Sequence, residues 1–129
     1  VGLCALRASA DEVSSIRLLA DEMASNTADL EQFNQLDLDF HMALASGSHN
    51  SVLAAILETV RDAMYEQVQN VQRLPGAAGR ASDFHLQIAS AVAEGDDVRA
   101  EQVMLDHLND VESAVLSSTV EHARQGREM

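Results

Sequence analysis

The chain has 129 residues and a net charge of −13, the size of one ordinary domain. Its eight Lys and Arg are scattered, so this stretch is not expected to grip a phosphate backbone by itself. No apolar run approaches the ~20 residues that cross a bilayer, no signal segment opens the chain, and the one cysteine, Cys4, cannot close an internal disulfide.

Those features suit a reducing, cytoplasmic setting, with no membrane partner expected. The chain opens at Val1 inside an amphipathic stretch and is read as a fragment or processed form, one domain over 1–129. The aromatics, Phe33, Phe40, Phe84 and Tyr65, are too few for stacking on bases or sugars.

The composition is rich in helix formers, so the expected fold class is all-α, an antiparallel helical bundle of about six helices with a truncated first one. A stub spans about Val1 to Arg7. Ser9 and Glu12 form a capping box that starts a second helix near Ala10, ending about Ser25. Thr27 or Asp29 caps a third, which Gly47 ends. Asn50 caps a fourth from Ser51 to about Gln72, with an inward stripe of Leu53, Ile56, Leu57, Val60, Met64, Val68 and Val71. A loop from Leu74 to Gly79 holds the single proline, Pro75. A fifth helix is expected over about Arg80 to Glu94, stopped by Gly95. Asp96 caps a sixth, from Asp97 to about Arg124, and the tail from Gln125 to Met129 is expected to fray.

The informative residues interrupt the apolar stripes. The third helix places Leu30, Phe33, Asp37, Phe40, His41 and Leu44 on one face, with Asp37 and His41 one turn apart. A carboxylate in that position is costly without a cation or strong donors. His85 joins Phe84, Ile88 and Val92 on the fifth helix, and His107 joins Val103, Met104 and Val111 on the sixth. His85 lies ten residues before Gly95 and His107 twelve after it. In a hairpin turning at Gly95 these offsets are about 15 and 18 Å along the axes, so the two rings should face each other. A lone buried histidine is ordinarily a hydrogen-bonded core residue. An aspartate and three histidines on matched faces of three helices instead suit one divalent metal: zinc first, with nickel, iron or manganese fitting the same donors. The expected ligands are therefore Asp37, His41, His85 and His107. His49, in a loop, and His122, near a polar end, are left out.

Three segments carry a family resemblance. Asp37-Leu-Asp-Phe-His41-Met-Ala-Leu-Ala-Ser-Gly-Ser-His-Asn50 resembles the Asp/His signature of the FCD domain, the C-terminal effector-binding domain of FadR-subgroup GntR-type transcription regulators. Asp83-Phe-His85-Leu-Gln-Ile88 through Gly95-Asp96 and Ala100 through His107-Leu108 resemble its later motifs, and the likeness runs from about residue 3 to 115. Asp83-Phe84 stands where the family usually has a Glu-bearing context, and the loop at Pro75 is short. The resemblance implies a non-enzymatic sensor whose metal coordinates a small carboxylate effector. It also implies a homodimer, and DNA contact only through an N-terminal winged helix-turn-helix domain absent from this chain. Phe33, Phe40, Phe84, Met64 and Met104 could wall the effector site, with Arg17, Arg61 or Arg80 as possible aids. The alternative is a hydrolase or other Asp/His3 metalloenzyme, with Glu58, Glu66 or Tyr65 as acid or base if the fourth helix faces the metal.

Overall fold

A computed structural model describes residues 1–128. It holds six helices: α1 (Gly2–Arg7), α2 (Ala10–Ala24), α3 (Leu30–Gly47), α4 (Ser51–Gln72), α5 (Ala77–Ala93) and α6 (Asp97–Glu128). The all-α bundle expected from the sequence is the fold observed. Connections of two to five residues turn the chain back so that α2–α3, α3–α4 and α5–α6 are antiparallel neighbours, while α1 packs on α3, α5 and α6.

The caps explain most boundaries. The Ser9 side chain accepts from the Glu12 amide while the Glu12 carboxylate accepts from the Ser9 amide, so two orphan donors of α2 are satisfied reciprocally. Asp29, one of the two expected candidates, caps α3 through the Gln32 amide. The Asn50 side chain accepts from Val52 and Leu53 at the start of α4. Gly95, at φ +67, makes the left-handed step between α5 and α6.

Three expected helix boundaries need correction. α5 begins at Ala77, inside the expected loop, because Gly76 takes a left-handed conformation (φ +73) that turns the chain straight into the helix. α6 does not fray at Gln125: it stays helical to Glu128, and only Met129 of the expected tail lies outside the described residues. Gly47 does not stop α3 but is its last residue. A Cβ there would lie 2.8 Å from the Cys4 sulfur, so the missing side chain lets α1 sit close.

The core runs from Cys4 and Ile16 through Met23, Phe33 and Phe40 to Ile88, Val92 and Val103. α2, α3, α5 and α6 enclose it. The fourth helix departs most from expectation, because no member of its apolar stripe is fully buried and its buried residue is Gln72. α4 packs along α3 and only brushes α5 and α6, so both its flanks stay open. Val52, Ile56 and Val60 face outward, while Leu53, Leu57 and Met64 line a groove on the other side. No described helix is long and apolar enough to cross a membrane.

Candidate metal centre

The structure brings Asp37, His41, His85 and His107 to one place, where α3, α5 and α6 meet. The facing nitrogens of the three histidines lie within 4.8 Å of one another. The Nε2 atoms of His85 and His107 are 3.1 Å apart across the α5–α6 hairpin. Asp37 Oδ1 lies 3.1 Å from His41 Nε2 and 3.5 Å from His85 Nε2. His85 is fully buried and Asp37 and His107 nearly so, whereas the His41 side chain is 22% exposed. The cluster is therefore sealed on three sides and reached past His41.

Packing holds the rings in place. Phe40 stacks on His85 with centroids 4.5 Å apart, and Phe84 lies 5.2 Å from His107. His85 Nδ1 contacts the Met23 sulfur at 3.4 Å, so a proton on Nδ1 has a weak acceptor and the Nε2 lone pair is left facing the cluster. Gln72, at the end of α4, donates its amide to Asp37 Oδ2 at 3.4 Å. The sequence pattern did not point to Gln72.

The electrostatics suit a cation. Burial pushes the His85 imidazole down to about 3, against an opposing pull from Asp37, so the ring is neutral at neutral pH. His107 is lowered by burial and by His41 beside it. Burial alone would raise the Asp37 carboxyl, but the surrounding histidines, His41 foremost, outweigh it and hold the group ionised below the usual range. One anion thus faces the neutral His85 imidazole, with the His41 and His107 rings beside it. Buried Asp37 Oδ1 has only the imidazole nitrogens of His41 and His85 beside it. A carboxylate with inward imidazole nitrogens is the donor set that divalent first-row metals take. The residues present fit such an ion.

Other candidates lie elsewhere. Phe33 and Phe40 belong to the closed core, while Met64 and Met104 line the groove beside His41. Arg80 pairs with Asp110, Arg61 approaches Glu58, and Arg17 is exposed. Glu58, Glu66 and Tyr65 are not on the groove wall. His49 pairs with Glu12 at 2.7 Å, and His122 contacts the Ser118 carbonyl.

The FCD domain family matches residues 1–110. The HTH-type transcriptional regulator LutR of Bacillus subtilis is 31% identical over 123 residues, covering 89% of this chain and 56% of that protein. A putative L-lactate dehydrogenase operon regulatory protein of Escherichia coli is 27% identical over 127 residues, covering 95% of this chain and 48% of its own length. The Glc operon transcriptional activator of the same species is 28% identical over 99 residues, 74% of this chain and 39% of that protein. The chain thus spans about half the length of the first curated relatives it matches. With the motifs around Asp37, His85 and His107 inside the matched stretch, the chain belongs to the FCD domain family of GntR-type regulators.

Proposed function

We propose that this chain is the sensing domain of a bacterial transcription regulator, in which Asp37, His41, His85 and His107 hold one divalent metal and a small organic acid binds beside it. The observation that carries the reading is the convergence of three imidazole nitrogens and one buried, ionised carboxylate next to an open groove. The bound metal would supply positive charge and an open coordination position for a carboxylate. The chain's own part is to present imidazole nitrogens, keep Asp37 ionised, exclude water behind His85 and leave access past His41. A relative named for an L-lactate dehydrogenase operon supports a small acid as effector.

In the intact protein, effector binding would act on DNA through a separate N-terminal domain, within a homodimer. It can do so only by having different affinities for two arrangements of the bundle. The enzymatic alternative is not favoured, since His41 is the one acid–base side chain on the groove wall among the described residues. Native mass spectrometry of the gently purified chain, paired with elemental analysis, tests the proposal. One equivalent of metal is expected, zinc before nickel, iron or manganese, and His85→Ala with His107→Ala should abolish it. Unchanged metal content in that double variant would defeat the assignment.

A further inference from the structure

The outward side of α4 carries an apolar stripe that no other helix covers. Val52, Ala55, Ile56, Thr59, Val60 and Ala63 recur at three- and four-residue steps, so they share one face over about 17 Å of the helix. All six are exposed, Val52 by 67%, Ile56 by 55% and Val60 by 40%. Five of them, with Ser51, line one shallow depression. Single exposed apolar side chains are ordinary, whereas a contiguous stripe marks a contact surface. No charge interrupts it, in a chain of net charge −13.

The charges stand along one edge. Glu58, Asp62 and Glu66, at four-residue steps, form an exposed acidic row beside the stripe. Arg61 approaches Glu58 at 3.8 Å, and among the described residues Asp62 and Glu66 enter no ion pair. A helix laid along this face would put its apolar side chains on the stripe and its flank against the acidic row. Lys or Arg on that flank would be attracted, and Asp or Glu repelled. A second copy of this chain would bring its own acidic row and its own negative charge to the contact.

We infer that the outer face of α4 docks a basic amphipathic helix of a partner protein, its apolar side on Val52, Ile56 and Val60 and its cationic flank along Asp62 and Glu66. The inference uses no residue of the metal cluster and goes beyond the sensor reading.

Fluorescence anisotropy of a labelled leucine–lysine peptide of about 18 residues, its leucines on one helical face, tests it. The controls are a scrambled peptide of the same composition and a leucine–glutamate peptide of the same pattern. The patterned basic peptide should bind the chain saturably at one equivalent, at least about tenfold tighter than the scrambled one, and the acidic peptide should not bind. Ile56→Gln should weaken binding by at least about fivefold. Asp62→Asn with Glu66→Gln should weaken it by about fivefold and flatten its dependence on salt. These side chains are exposed, so the melting temperature should not move. Absent binding, equal binding of the patterned and scrambled basic peptides, or indifference to Ile56→Gln overturns the inference. So does self-association of the chain alone, seen by sedimentation velocity and abolished by Ile56→Gln, which would give the stripe to a second copy.

Discussion

At the residue scale, Asp37 is the group most in need of explanation, because the fold buries a carboxylate and gives one of its oxygens only imidazole nitrogens as neighbours. Gln72 holds the other oxygen, so at the proposed metal site it would act through Asp37 as a positioning residue. Partners of this kind typically change metal affinity by ~10–100-fold. Gln72→Leu should therefore weaken zinc binding by at least about tenfold in a chelator competition, while Gln72→Glu, which would bring a second carboxylate against Asp37, should do worse than Gln72→Leu on metal-free stability. An unaltered zinc affinity in Gln72→Leu would reduce the amide to packing. The histidines make a pH prediction. His85 is held at about 3 in the fold against an ordinary 6.5, so between those values the unfolded chain binds more protons than the folded one. The metal-free chain should keep this contribution above about pH 6.5 and lose stability as pH falls from there towards 3, read as a declining urea midpoint. His85→Phe should flatten the decline, since no proton is then taken up on unfolding at that position. Asp37, His41, His85 and His107 were legible in the sequence because each is a polar residue at an apolar helical position. Gln72 was not legible. It sits at a helix end, where a glutamine ordinarily points to water, and only the packing of α4 on α3 turns it inward.

At the scale of elements, the boundaries set by side-chain caps were readable and those set by contacts between helices were not. Ser9, Asn50 and Gly95 act locally, through hydrogen bonds or a left-handed step within a few residues. The role of Gly47 depends on Cys4, more than forty positions earlier in the chain. Two substitutions separate these cases. Ser9→Ala should cost about 1 kcal/mol, the usual price of an N-cap, measured by urea unfolding. Gly47→Ala would gain about 1 kcal/mol if helix propensity alone decided. The added methyl would meet the buried Cys4 sulfur at 2.8 Å, with Ile16 close behind, so overpacking at about 1–3 kcal/mol wins and the variant should be less stable. A stabilised Gly47→Ala would show that α1 moves aside freely. The fourth helix carries the same lesson. Its apolar stripe reads as core, yet α4 covers only α3, which converts part of that stripe into the groove wall.

At the scale of the whole molecule, the net charge of −13 opposes compaction, because like charges are held closer in the fold than in the unfolded chain. Two kinds of cation effect should follow, and they differ in form. Sodium chloride raised from about 0.01 M to about 0.15 M shortens the screening length from ~30 to ~8 Å and should raise the melting temperature gradually. Magnesium, which prefers oxygen ligands and keeps its waters, should act in the same graded way on the acidic surface. Zinc held at the proposed site by Asp37 and the three histidines would tie α3, α5 and α6 together and favour the folded chain. At a hundredfold excess over its dissociation constant it should add about 2.7 kcal/mol, on the order of 10 °C for a domain of this size. That response should saturate at one equivalent. In the double variant His85→Ala with His107→Ala, the zinc step should vanish while the sodium and magnesium slopes survive, since the surface charge is untouched. A zinc curve with the same graded shape as magnesium, in the unaltered chain, would mean that the cluster is a neutral histidine core and that the acidic surface alone accounts for cation binding.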